Sequence, residues 1–293
     1  MRIAFWSQQK KAGTAFNLAA VASAVVCLYP VSVAVVSGGY HDQKLERKFF
    51  RENRQDSVFA EEQSGQKRMF TAEDPLQNQA VAAETREFFL FSGLDCLLGR
   101  ERREDLTEEI VRANMRQIVK DRMYYLPTSV RPEYEWWHRD CRFARMNRVM
   151  DAVESYFDIV FIDCGSRQDD YARKLFREAD VCVLNMNQDT EVIGKFYNNP
   201  PDCRGEIFFL IGRYFENDLY NRLNLQRIYR LEEERLGAIP SYNPYLHAAE
   251  RMGKMENGVK SYVGGGGEEK RTEFEKELVR TTNLILKLAG LVS

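Results

Sequence analysis

Three runs, Ile159–Ile162, Val181–Met186 and Ile207–Ile211, are apolar almost without interruption, and the first two are spaced widely enough for a helix between them. A strand that does not alternate polar with apolar residues must be covered on both faces. That condition belongs to parallel sheets with helices above and below. The N-terminus carries a related pattern. Ile3-Ala4-Phe5-Trp6-Ser7 reads as a short buried strand, Gln8 to Gly13 as a loop, and Thr14 onward as a helix with no breaker before Pro30. Val31–Val36 then reads as a second strand, which completes a βαβ unit. The expected fold class is α/β: a doubly wound, mostly parallel sheet of about seven strands, flanked by helices.

Helical spacing of apolar residues covers Lys44–Arg54, Leu76–Phe91, Leu106–Arg122 and Phe143–Phe157, the last with Met146, Val149, Met150 and Val153 on one face. A further helix is expected around Tyr171–Ala179. Met123–Pro127 and Ala238-Ile239-Pro240 read as short strands, and Gln55–Asp74 as a polar loop. Gly264–Gly267 reads as a linker and Phe274–Leu291 as a terminal helix. The expected organisation is one domain over 1–262, with 263–293 a Gly-rich linker and a helix docked on that domain.

Composition narrows the function classes. With 293 residues, 44% hydrophobic and 12% aromatic, the chain can bury a large core. A net charge of −2 gives no global field for nucleic acid or anionic membrane. Cys27, Cys96, Cys141, Cys164, Cys182 and Cys203 contain no C-x-x-C pair, so reduced thiols in a cytoplasmic protein are expected. His41, His138 and His247 lack metal-ligand spacing. No charged leader precedes the first strand and no segment has 18 uninterrupted apolar residues, so neither a signal peptide nor a membrane span is expected.

The loop after the first strand has the outline of a phosphate-binding loop with most of its chemistry replaced. Such a loop needs G-x-x-x-x-G-K-[ST]: glycines let backbone N–H groups surround phosphate, lysine neutralises it, and Ser or Thr holds Mg²⁺. Here the window is Gln8-Gln9-Lys10-Lys11-Ala12-Gly13-Thr14-Ala15. Gly13 is the one glycine left. Thr14 stands where the lysine belongs and Ala15 where the magnesium ligand belongs. Lys10 and Lys11 are either substitute cations or two solvated loop lysines, and neither adopts a positive φ as cheaply as glycine. A second segment, Asp158–Asp163, is an apolar strand ending in a carboxylate. Asp163 is a candidate magnesium-side acid; the alternative is a structural turn or helix cap.

Together these segments resemble the ParA/MinD family of deviant Walker-A ATPases, whose fold is P-loop NTPase-like. In that alignment Gly13 matches the last glycine of the motif, and Gln9 falls on the signature lysine that crosses the dimer interface. Asp158–Asp163 matches the second motif and Ala179-Asp180-Val181 the strand that follows it. Ala238-Ile239-Pro240 matches the late strand. By resemblance Arg213 and Pro240 flank adenine, while Ser37, Gly38 and Gly39 occupy the stretch where the family places water-ordering acids. A narrower likeness, over roughly residues 1–255, is to ParA-like proteins of Firmicutes related to the pilus-assembly protein TadZ. It rests on Phe5-Trp6-Ser7, Gly13-Thr14, Leu210–Tyr214, Tyr220-Asn221, Asn224-Leu225, Ile228-Tyr229 and Ile239–Asn243.

The resemblance implies ATP as the ligand, bound weakly or not at all, and Mg²⁺ only where nucleotide binds. It implies a homodimer with partners in a polar or membrane-associated machine, such as a Tad-type pilus. The replaced residues imply a pseudo-ATPase acting as a positioning or assembly scaffold. The competing expectation is a working ATPase of cell division or of plasmid or chromosome partitioning. DNA partitioning calls for a basic face that the balanced charge does not provide. Trp136-Trp137-His138 reads as rings packed under a surface loop. Leu278, Leu284, Ile285, Leu288 and Leu291 form a helical stripe of the kind MinD-like proteins use for peripheral membrane contact. Docking on the domain core is the expectation adopted.

Overall fold

Alternate residues of the first strand, β1 (Arg2–Trp6), enter two different cores: Ile3 and Phe5 one, Ala4 and Trp6 the other. A computed structural model describes residues 1–38, 44–51, 93–100, 105–128, 140–166, 170–241, 243–263 and 272–292. Within them, β1 is followed by α1 (Thr14–Leu28), β2 (Val33–Ser37), α2 (Glu46–Phe49), α3 (Gly93–Arg100) and α4 (Glu108–Ala113). Then come β3 (Arg116–Val119), β4 (Met123–Leu126), α5 (Asp140–Tyr156), β5 (Ile159–Gly165), α6 (Asp170–Arg177) and β6 (Val181–Met186). The chain continues through α7 (Thr190–Asn198), β7 (Glu206–Tyr214), α8 (Arg222–Tyr229), β8 (Leu236–Pro240), α9 (Pro244–Arg251), α10 (Met255–Val263) and α11 (Glu273–Leu288).

The strands form one eight-stranded sheet in the order β3-β4-β2-β5-β1-β6-β7-β8. Every pairing is parallel except β3 with β4. Helices α1, α2, α9, α10 and α11 contribute to the core on one face, and α3 to α8 to the core on the other. Coverage on both faces is what the uninterrupted apolar runs demanded. Helix α1 is buried along almost its whole length, from Leu18 to Val26, because α10 and α11 pack over it on the side away from the sheet. Helix α11 directs Phe274, Leu278 and Ile285 into that core. Its Thr281 hydroxyl accepts from Ala238 N–H at 3.0 Å and donates to Ala238 O at 2.9 Å, beside the outer strand β8. A Cβ at Gly237 would lie 2.7 Å from that hydroxyl, so glycine is required there.

Three sequence expectations are corrected. The helix read over Leu106–Arg122 is only Glu108–Ala113; Arg116–Val119 is the antiparallel edge strand β3, which raises the expected seven strands to eight. The reason is tertiary: β3 folds back onto β4 through a turn in which Asp121 takes φ 57°. The helix read over Lys44–Arg54 spans only Glu46–Phe49. The helix Gly93–Arg100 was not anticipated. Leu76–Phe91, Gln55–Asp74, Trp136-Trp137-His138, Gly39 and Gly264–Gly267 lie outside the described residues.

Candidate functional site

The carboxyl ends of β1, β2 and β5 converge beneath the β1–α1 loop. Connections diverge here: β1 leads through α1 to β2 on one side, while β5 crosses to β6 on the other. In open α/β sheets this is where ligands bind. Asp163 sits in register with Phe5 of β1 and Ser37 of β2, at the centre of the group. Its carbonyl accepts from Gly38 N–H at 2.9 Å, and its carboxylate Oδ1 accepts from Gly165 N–H at 2.9 Å. Ser7 N–H donates to Gly165 O at 2.9 Å, which ties the loop to β5. Asp163 is buried.

Two residues of the loop, Lys11 and Gly13, take a left-handed backbone. Gly13 takes φ 79° and ψ 19°. Lys11 takes φ 67°, a left-handed conformation that costs a non-glycine residue on the order of 1–2 kcal/mol. Lys11 thus carries the cost that the sequence attaches to a positive φ at a lysine, beside the tightly packed Ala12. Ala12 is buried, and a Cβ at Gly212 of β7 would meet Ala12 O at 2.8 Å. Asn17 of α1 donates from Nδ2 to Asn185 Oδ1 of β6 at 2.9 Å, both side chains being buried. Asn185 had a sequence signal: it is the lone polar residue with an uncharged amide in the apolar run Val181–Met186.

The first turn of α1 has no acidic residue and no side-chain cap, so its N–H groups and positive dipole end face the loop. Lys10 and Lys11 are exposed. Thr14 is the first residue of α1 and only 7% exposed, while Ala15 follows it half-buried. Arg213 lies on an irregular step of the β7–β8 ladder at φ 53°, with Pro240 paired to the adjacent Tyr214. Arg213 is exposed and Pro240 half-buried.

The backbone therefore fits an anion such as phosphate. The side chains do not fit a magnesium nucleotide in the usual way. Thr14 supplies no charge, Ala15 supplies no oxygen, and the Asp163 carboxylate already accepts from its own strand's turn. Among the described residues no cluster of three or more His, Cys, Asp or Glu converges as a metal site. A cleft of about 1530 Å³ borders the loop between α6 and α7, with Trp6, Gln8, Phe176 and Phe196 in its wall. Trp6 is held there by Phe176 and Phe196, at centroid distances of 5.6 and 6.0 Å.

No family model matches the sequence, and no curated protein matches it. Solved structures do. The ParA family ATPase from Chlorobium tepidum superposes with a TM-score of 0.62 at 12% identity, over 96% of this chain and 97% of that one. MinD from Pyrococcus furiosus, a cell-division ATPase, gives 0.55 at 15% identity over 98% of both chains. The fold is that of the ParA and MinD ATPases. Another of this fold, Pyrococcus horikoshii MinD complexed with Mg-ADP, gives 0.53 at 14% identity over 99% of this chain and 98% of that one. Within the ParA/MinD fold the β1–α1 loop, Asp163 and the β7–β8 end of the sheet lie on the same edge. Among the described residues no helix is long and apolar enough to cross a membrane.

Proposed function

We propose that this protein is a ParA/MinD-fold scaffold that positions or assembles other components and does not turn over ATP. One observation supports this most: Thr14, at the place of the phosphate-neutralising lysine, is a buried, uncharged first residue of α1. Phosphoryl transfer depends on positioning and charge stabilisation, so a loop without that cation retains shape but little catalytic power. A phosphate-bearing ligand in this reading is held by the α1 N–H groups, with Lys10 or Lys11 over it, weakly or not at all. The partners are a second copy of the chain and components of a polar or membrane-associated machine. The TadZ-like residues favour a Tad-type pilus. We take 1–262 as the functional unit and 263–293 as a linker and helix docked upon it, in keeping with the burial of Phe274, Leu278 and Ile285. The free thiols of Cys27, Cys96, Cys164, Cys182 and Cys203 favour the cytoplasm. Calorimetric titration with Mg-ATP and Mg-ADP tests the reading; saturable binding in the low micromolar range would contradict it.

A second reading, a working ATPase of cell division or partitioning, is favoured by the left-handed Lys11, which keeps the loop's shape despite its cost. It requires phosphate release that disappears in Lys10→Ala or Lys11→Ala.

A further inference from the structure

A second cleft, of about 580 Å³, lies between α2 and α9. None of its described lining residues belongs to the β1–α1 loop, to Asp163 or to the β7–β8 end of the sheet. Its walls are held by contacts of the protein itself. The Lys48 ammonium of α2 pairs with the Glu250 carboxylate of α9, both side chains being 19% exposed. His247 Nδ1 lies 3.0 Å from the other carboxylate oxygen, and its ring stacks on Phe16 of α1 at 5.2 Å. Just after α9, Gly253 takes φ 64°, and a Cβ there would collide with Phe50 C and Arg51 N. That approach requires glycine, and it brings the turn after Arg251 against the backbone of Arg51. Phe50 is fixed in turn by the Arg116 guanidinium, 3.7 Å from its ring centroid.

The charge in this cleft is unbalanced. Arg47, Lys48, Arg51 and Arg251 line it against one described carboxylate, Glu250. Glu250 is already engaged by Lys48 and His247. Among the described residues no carboxylate pairs with Arg51 or Arg251; Arg251 Nε donates only to the His247 carbonyl, at 3.4 Å. Both arginines are exposed to solvent at the rim. The chain as a whole carries a net charge of −2, so this positive excess is local. A concave wall of one sign concentrates the field and draws in counter-ions.

We propose that the α2–α9 cleft binds a phosphate-bearing molecule, gripped by Arg51 from one wall and Arg251 from the other. A guanidinium presents a planar fork of donors that matches phosphate oxygens two at a time, and its charge is permanent. The cavity is larger than one phosphate needs and falls within the range of about 300–1,000 Å³ common to small-molecule sites. Phe50 and His247 add ring surface for the part of the ligand that carries the phosphate. Lys48 stays with Glu250 and braces the site. The phosphate of a soluble metabolite and that of a lipid headgroup present the same chemistry to these arginines.

The test uses the full chain at low ionic strength with EDTA present. Inorganic pyrophosphate is titrated in by calorimetry. Separately, the protein is sedimented with vesicles of phosphatidylcholine, with and without phosphatidylglycerol. Saturable pyrophosphate binding assigns a soluble phosphate; sedimentation that requires phosphatidylglycerol assigns a headgroup phosphate. In whichever arm responds, Arg51→Gln/Arg251→Gln is expected to weaken binding at least about tenfold, as the loss of two charged forks implies. Both positions are exposed, and an unchanged circular dichroism spectrum is expected. Arg227→Gln/Lys276→Gln removes the same charge from exposed positions elsewhere and is expected to change affinity by less than about twofold. Lys10→Ala/Lys11→Ala is expected to bind like the native chain, which separates the cleft from the β1–α1 loop. No binding in either arm, unchanged binding in Arg51→Gln/Arg251→Gln, or an equal loss in Arg227→Gln/Lys276→Gln or Lys10→Ala/Lys11→Ala would overturn the proposal.

Discussion

Gln9 and Asn187 are joined across the carboxyl edge of the sheet: Asn187 N–H donates to Gln9 Oε1 at 3.2 Å. Gln9 Nε2 lies 3.4 Å from Asp189 Oδ2, and Asp189 caps the first turn of α7. The residue aligned with the interface-crossing lysine of the ParA/MinD pattern is therefore folded back on its own chain. A neutral amide engaged in this way offers no cation to phosphates bound by another copy.

Any dimer should consequently be indifferent to nucleotide. Light scattering with and without Mg-ATP is expected to give the same mass. A shift from monomer to dimer on adding nucleotide would show that the Gln9–Asn187 latch opens or is irrelevant.

Hydrolysis of ATP should stay near background. Loss of one transition-state electrostatic group typically costs about 2.7–4 kcal/mol, and Thr14 and Ala15 replace two such groups. Replacing Thr14 with Lys and Ala15 with Thr, then measuring phosphate release beside the native chain, is expected to raise the rate. Native turnover as fast as an intact ParA-type enzyme, and lost in Asp163→Ala, would reverse the conclusion.

Loop geometry makes separate demands on two residues. In Gly212→Ala the new Cβ would fall 2.7 Å from Asn17 Nδ2 and 2.8 Å from Ala12 O. That should cost about 1–3 kcal/mol of stability by overpacking, read as a lowered urea midpoint. Lys11→Val should destabilise as well, because a β-branched residue tolerates positive φ worse than lysine. Lys11→Gly should be within roughly 1 kcal/mol of neutral, as relieved strain offsets the added entropy of the unfolded chain. If Lys11→Gly were as damaging as Lys11→Val, the lysine side chain itself would be holding the loop.

Glu250 links stability to pH. Burial opposes its ionisation, but the ion pair with Lys48 and the bond with His247 at 3.0 Å outweigh that, so its carboxyl is held below the ordinary range. A depressed carboxyl contributes fully above its unfolded value, near ~4.3, and the contribution is lost as pH falls through the folded value. Glu250→Gln is expected to cost on the order of 1 kcal/mol at neutral pH. In denaturant titrations the gap between variant and native chain should close below about pH 4. A gap unchanged by acid would mean that packing, not charge, is lost.

Sequence reading reached the central strands because burial on both faces leaves a local, unmistakable record in Ile159–Ile162 and Val181–Met186. It failed at Arg116–Val119, where Ile110, Val111, Met115, Ile118 and Val119 mimic a helical period and pairing with Met123–Leu126 decides the outcome. The site divides in the same way. The positions of Gly13 at the start of α1 and of Asp163 near the end of β5 follow from local pattern. The Gln9–Asn187 and Asn17–Asn185 bonds join residues 178 and 168 positions apart, and no local rule encodes them. Lys11 shows the limit most plainly: propensity argues against its backbone angle, and the packing around Ala12 and Gly212 prevails.

The Thr281 hydroxyl has a consequence for self-association. An outermost strand ordinarily displays free backbone donors and acceptors, and these are templates for runaway pairing between molecules. At Ala238 one side chain answers both groups at once, and Gly237 makes room for it. At Ala238 the C-terminal helix thus takes the place that a strand from another molecule would need, which opposes growth of the sheet by strand addition at this margin.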